Sequence, residues 1–287
     1  MAGHGLLSVV GTPIGNLSDA SPRVLDTLRS SDVILCEDTR VTSRLLAHFG
    51  IHVPLQRADE NVLAKKVEAT LQHLDVGEHV SFVSDAGMPG VSDPGQRLVD
   101  AALDAGYRTE VIPGPSAVTC ALVASGLPME HFFFEGFLPR KKGAIASRLR
   151  ELAPIPGALV FYESPHRVVA TLQVMAEVFP QRRVALVREL TKLHEEVVRG
   201  LTGDVAAELA GRDEVRGECV LVLEGPVAGE GAAYDAAPAL SLDEAISAGL
   251  AAGESKTRLA KRLARELHLA RNEVYDRIVS LADQAAE

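Results

Sequence analysis

The stretch Ser84–Gly95, S-D-A-G-M-P-G-V-S-D-P-G, restricts the fold more than any other part of the chain. Val80, Ser81, Phe82 and Val83 rise into it as a buried strand, and a helical pattern leaves it at Gln96 and stops at Gly106. Two Asp, three Gly and two Pro in one connection hold special backbone angles and leave main-chain N–H and C=O groups open to a ligand. Strand, loop and helix in that order form the unit of a parallel sheet, whose ligands sit beyond the carboxyl ends of the strands.

The same unit recurs through the first half. Leu6–Val10 runs into G-T-P-I-G-N-L-S-D, Val33–Cys36 into E-D-T-R, and Thr109–Ile112 into P-G-P-S-A. Between them, Ser21 caps a helix with Pro22 at its first position, a helix through Leu45 and Leu46 closes at Gly50, and another spans Asn61 to Leu74. Ser116 is placed to cap a helix carrying Val118, Leu122 and Val123. A parallel, helix-covered sheet is expected over residues 1–125.

From Phe132 strands outnumber helices: Ala158–Tyr162, Val184–Val187, a polar strand about Glu195–Arg199, and Cys219–Leu223. One helix runs through Val168, Leu172 and Met175, and another starts at Asp204 with Thr202 as its cap. A second α/β domain with a mixed sheet is therefore expected over 126–226. A small-residue linker, 227–240, precedes a helical, helix-turn-helix-like tail, 241–287, with caps at Ser241 and Ser255 and apolar positions including Leu259, Leu263 and Leu267.

Composition excludes several classes. In 287 residues no apolar run approaches a membrane span and the first ten residues do not form a signal peptide, so a cytoplasmic protein with no membrane partner is expected. Cys36, Cys120 and Cys219 are far apart in apolar stretches, and His48 and His52 have no third ligand nearby, so neither a disulfide framework nor a metal site is expected. A net charge of −10 argues against indiscriminate coating of nucleic acid, and no DNA partner is expected. Two basic segments stand out on that acidic body: Phe137–Arg150, with five basic residues and no acid, and Glu254–Arg277, with seven basic and four acidic.

The first loop is not G-x-G-x-x-G and lacks a Walker lysine, which disfavours a phosphate-bearing cofactor. A small cofactor carrying adenosine, a cation and an amino-acid end suits main-chain groups of such loops together with Asp85. Here the motifs carry a resemblance. Val9–Asp19, C-E-D-T-R at Cys36–Arg40, the central loop, P-G-P-S-A, F-Y-E-S-P-H-R at Phe161–Arg167 and R-E-L-T-K at Arg188–Lys192, in this order, resemble the bacterial 16S rRNA cytidine 2′-O-methyltransferases of the tetrapyrrole-methylase superfamily.

That resemblance implies S-adenosylmethionine as cofactor, a cleft between two domains, a homodimer, and 16S rRNA of the small ribosomal subunit as substrate. Carried over by position, the cofactor contacts are Pro13, Asp85, Gly87, Met88, Ser116, Ala117, Tyr162 and Leu190. Candidate catalytic residues are Glu163, Glu189, Arg188 and Lys192, with Glu37, Asp38, Arg40 and Arg167 also at strand ends. Thr12–Asn16 stands where tetrapyrrole enzymes carry an acidic G-x-G-x-x-D loop, which favours the rRNA branch. A tetrapyrrole C-methyltransferase and a non-catalytic RNA-binding factor on the same fold remain as alternatives, separated by the basic tail and by cofactor binding.

Overall fold

The structure, a computed structural model, describes residues 5–58, 63–90, 95–226, 242–251, 254–266 and 271–284. β1 (Leu6–Val10), β2 (Val33–Cys36), β3 (Leu55–Arg57), β4 (His79–Val83) and β5 (Arg108–Ile112) form a wholly parallel sheet in the order β3-β2-β4-β1-β5. Helices α1 (Pro22–Ser30), α2 (Thr39–His48), α3 (Leu63–Asp75) and α4 (Gly95–Asp104) make the crossovers. Both faces are covered, so alternate residues of one strand serve two cores. Val33, Leu35, Val80 and Phe82 join one cluster with Leu98 of α4, while Ile34, Cys36 and Val83 join the other with Val24 and Leu28 of α1. This is why β2 reads as an unbroken apolar run and β1 and β4 are interrupted inside only by the buried Ser8 and Ser81.

Ser21 caps α1 as expected, its Oγ accepting from the Val24 N–H at 3.2 Å. The short strand β3 carries no such apolar signature and is legible only from its pairing with β2. The expected helix start at Asn61 lies outside the described residues, as do Val91–Pro94 of the central loop.

The second sheet runs β6 (Phe132–Phe137), β7 (Ala158–Glu163), β10 (Cys219–Leu223), β8 (Arg183–Arg188), β9 (Glu196–Leu201). β6 and β7 are parallel and every other pair is antiparallel, the mixed arrangement anticipated. α5 (Ala117–Ser125), α6 (Lys142–Leu152), α7 (Val168–Val178) and α8 (Thr202–Ala210) accompany it. α6 occupies the basic segment, which the sequence had shown only as a charge run. α8 begins at Thr202, not Asp204, and Thr202 does not cap it: its buried hydroxyl donates to the Phe179 carbonyl at 2.7 Å, satisfying a polar group that has no access to water.

α5 follows the last strand of the first sheet yet packs on the second. Its Val118, Ala121 and Leu122 join Val160, Ala185, Val187, Val220 and Val222 in one core. The turn before α5 is thereby held between the two sheets.

Residues 229–287 form a separate compact unit. There α9 (Leu242–Ala251), α10 (Lys256–Glu266) and α11 (Arg271–Gln284) share a core of Ile246, Leu259, Leu263, Val274 and Ile278. Arg262 pairs with Glu254 at 2.9 Å and Arg277 with Asp243 at 2.5 Å, so part of the tail's positive charge is balanced internally. The linker, Ser241 and Leu267 lie outside the described residues. Among the described residues no helix is long and apolar enough to cross a membrane.

Candidate active site

β4, β1 and β5 are neighbours, so the loops leaving their carboxyl ends meet. Thr12 and Gly87 exchange backbone hydrogen bonds of 2.9 and 3.1 Å, which Gly87 reaches with φ +82°, a left-handed angle that glycine adopts without steric cost. Gly11 and Gly114 lie back to back: a Cβ on Gly11 would stand 2.6 Å from the Gly114 nitrogen and 2.5 Å from Met88 Sδ. The Met88 sulfur accepts from the Gly114 N–H at 3.2 Å. Three loops are thus fused into one platform. Two cavities flank it, sharing Ile14 and Ala86 as common wall.

The first cavity, about 420 Å³, gathers Gly87, Met88, Ser116, Ala117, Tyr162 and Glu163 of the expected residues. Ser116 occupies the N-cap position of α5 but makes no capping bond, contrary to the sequence expectation, so its hydroxyl is not committed to the helix. Phe137, Glu218, Cys219 and Val220 complete the wall and were not anticipated. They arrive through topology: β10 runs antiparallel to β7, which sets Cys219 opposite Glu163 and Val220 opposite Tyr162. Tyr162 meets Phe134 and Phe137 edge-on, at ring separations of 4.9 and 5.7 Å. Burial, with Glu218 adding to it, raises the Tyr162 pKa, so its phenol stays protonated. Burial likewise pushes the Cys219 thiol up to about 11, which leaves it a poor nucleophile at neutral pH. Among the described residues the wall carries two carboxylates, Glu163 and Glu218, and no basic side chain.

Glu163 is buried and fully engaged. It accepts from the Ser164 N–H at 2.8 Å and the Thr171 hydroxyl at 2.7 Å, and Arg167 stands 3.4 Å away. Arg167 also donates to the carbonyls of Leu138 and Pro139, so Glu163 anchors the turn after β6 as well as the start of α7.

The second cavity, about 290 Å³, contains Pro13 and Asp85, which therefore stand on the other side of the shared wall from Gly87 and Ser116. Asp85 is exposed, and its Oδ1 accepts from the Asp38 N–H at 3.0 Å. Val41, Arg44 and Leu45 of α2 form the facing side. Their helical spacing was present in the sequence, but nothing there marked it as facing a cavity.

Arg188, Glu189, Leu190 and Lys192 line neither of these cavities. They form a clasp. Glu189 and Thr191 hold φ of +50° and +64°, each strained by about 1–3 kcal/mol for a side-chain-bearing residue. Thr191 Oγ1 accepts from the Asn16 N–H at 3.2 Å, linking the second sheet to the first loop. Glu189 accepts from Lys192 Nζ and from the Glu218 N–H, both at 2.9 Å, and Lys192 reaches Glu218 at 3.0 Å. The Lys192 bond and the Glu218 N–H hold the Glu189 carboxyl below its ordinary pKa. Burial works against the Lys192 ammonium, but Glu189 and Glu218 outweigh it and its pKa is raised. Arg188 is paired with Glu196 at 3.0 Å, and Leu190 packs against the α5 core. Among the described residues no group of three or more His, Cys, Asp or Glu is placed to hold a metal ion.

Residues 6–206 match the Tetrapyrrole (Corrin/Porphyrin) Methylases. Ribosomal RNA small subunit methyltransferase I of Xylella fastidiosa is 46% identical over 230 residues, covering 78% of this chain and 83% of its own length. The protein of the same name from Mesorhizobium japonicum is 39% identical over 282 residues, 98% of this chain and 94% of its own. Among solved structures, diphthine synthase superposes with a TM-score of 0.59 at 17% identity, over 77% of this chain and 90% of that one. Uroporphyrin-III C-methyl transferase from Thermus thermophilus, complexed with S-adenyl homocysteine, gives 0.53 at 22% identity over 77% and 97%. The chain therefore belongs to the tetrapyrrole methylase family and, within it, to the ribosomal RNA small subunit methyltransferase I proteins.

Proposed function

We propose that this chain methylates 16S rRNA, transferring the methyl group of S-adenosylmethionine to a cytidine ribose 2′-hydroxyl in the small ribosomal subunit. The structural observation that carries the reading is the first cavity: a platform of glycine-rich main chain, the uncommitted Ser116 hydroxyl, and no basic side chain among the described residues that line it. That set suits a small cofactor without phosphate. Kinship with the rRNA enzymes over nearly the whole chain supports the substrate class.

When bound, S-adenosylmethionine supplies a methyl group already activated by its sulfonium. The protein's part is to hold and exclude. In this reading Gly87, Met88, Ser116, Ala117 and Tyr162 contact the cofactor, Pro13 and Asp85 stand across the shared wall from it, and Leu190 packs against the core of α5, which Ser116 precedes. Phe137, Tyr162 and Val220 keep water from its apolar parts, which strengthens every polar contact inside. Glu163, Arg188, Glu189 and Lys192 act as positioning residues, because each is already satisfied by protein partners. Alignment of hydroxyl and methyl then supplies most of the acceleration.

The protein is further proposed to be a cytoplasmic homodimer, with the helical tail and the cations Arg140 and Lys141, which have no ion-pair partner among the described residues, contributing phosphate contacts. The test is transfer of tritiated methyl to unmodified small subunits, naked 16S rRNA and uroporphyrinogen. Label in an alkali-resistant dinucleotide of the RNA is expected. Label confined to uroporphyrinogen, or none despite cofactor binding, would overturn the assignment.

A further inference from the structure

We propose that the cavity between the first loop and α2 receives one unstacked pyrimidine nucleotide of the RNA, with Arg44 on a flanking phosphate and Asp85 on the ribose. The inference rests on the methyltransferase reading above, and names the part of the molecule that takes the substrate.

Position is the first argument. Ile14 and Ala86 line both cavities, so a group seated in the second lies next to the first. Chemistry is the second. Among the described residues the first cavity is lined by carboxylates and no basic side chain, whereas the second carries one acid, Asp85, and one arginine, Arg44. The Arg44 guanidinium has no hydrogen-bond or ion-pair partner among the described residues and stands next to apolar surface from Leu17, Val41 and Leu45. Val41, Arg44 and Leu45 recur at i, i+3 and i+4 and so share one face of α2. Val41 is 39% exposed, an apolar side chain partly open to solvent on a surface helix. Apolar surface beside a cation that no carboxylate of the described chain pairs complements a base and its phosphate.

Asp85 is the third argument. One of its oxygens is fixed by the Asp38 N–H, while the Asp38 carboxylate is itself held by Arg40 at 2.5 Å. The other Asp85 oxygen makes no hydrogen bond among the described residues and is left to accept from a hydroxyl at the wall between the cavities. A volume of about 290 Å³ accommodates a single nucleotide.

The experiment compares Val41→Trp, Arg44→Glu and Arg44→Lys with the wild type. Both positions are exposed, so the folded state tolerates the changes, which thermal melts check. Binding of tritiated S-adenosylmethionine by equilibrium dialysis is expected to stay within about twofold in all three, a change worth under 1 kcal/mol. Methyl transfer to small subunits is expected to fall about tenfold or more in kcat/KM for Val41→Trp and Arg44→Glu, with Arg44→Lys keeping most of it. Arg44→Glu should also flatten the log–log salt dependence of RNA binding by about 0.7 or more. Wild-type rates in Val41→Trp and Arg44→Glu, with the wild type active, overturn the cavity assignment alone. A wild type that binds cofactor and labels no RNA overturns the methyltransferase reading, and the assignment falls with it.

Discussion

Ser116 separates two roles that a helix-capping serine normally combines. Replacing a capping serine by alanine costs about 1 kcal/mol of stability, but the Ser116 hydroxyl makes no bond to α5. Ser116→Ala is therefore expected to leave the urea midpoint unchanged while weakening S-adenosylmethionine binding about fivefold, the loss of one hydrogen bond, as read by calorimetric titration. Acid titration of three glutamates supplies a second residue-level expectation. Glu189, Glu196 and Glu224 all have folded pKa values below the ordinary glutamate value, caused first by side-chain bonds to Lys192, Arg212 and Arg183 respectively. A depressed folded pKa adds stability that is complete above the unfolded value of about 4.3 and is lost as pH falls through the folded values. Denaturant melts between pH 7 and 3 should show unfolding free energy declining below about pH 4.3, and Glu196→Gln should remove part of that slope.

At the scale of elements, β9 and α5 govern how the fold presents itself to a partner. β9 is an edge strand, and Val197 and Leu201 stand on its α5-facing side with Arg199, which donates to the Ser125 carbonyl at 3.3 Å. Both are exposed, as is Val123 of α5 at 68%. An uncovered edge with apolar residues is unfavourable for a monomer in water, which is the physical support for the proposed dimer. Val197→Asp with Leu201→Asp should convert the sedimenting species from dimer to monomer without changing the circular dichroism spectrum. A monomeric wild type would sink that proposal. The clasp Arg188–Lys192 shows how much of an element's character depends on its partners: its strained residues are stable only because Asn16, Glu218 and Glu196 engage it on three sides.

At the scale of the whole molecule, the helical tail has its own core, sharing no residue with those of the two sheets. A chain ending at Pro226 is expected to fold and to bind S-adenosylmethionine within about twofold of the full chain, while losing affinity for small subunits as its phosphate contacts are removed. Gel-shift titration at several salt concentrations checks this. Unchanged RNA affinity and salt slope would leave the tail no part in substrate binding.

What the sequence determined by itself was local and periodic. Apolar runs flanked by Gly/Pro loops specified both α/β units, and six ordered motifs marked the platform and the clasp, because backbone angles and strand burial are written in neighbouring residues. Tertiary structure decided which of those motifs share a cavity. Pairing of β10 with β7 brought Phe161–Glu163 beside Glu218–Val220, and the Thr12–Gly87 bridge put Asp85 and Pro13 on the opposite side from Ser116. The packing of α5 on the second sheet, the pairing of Lys192 with Glu218, and the cavity facing α2 all depend on contacts between residues remote in the chain. Such contacts follow from strand order and burial in three dimensions, which no local spacing encodes.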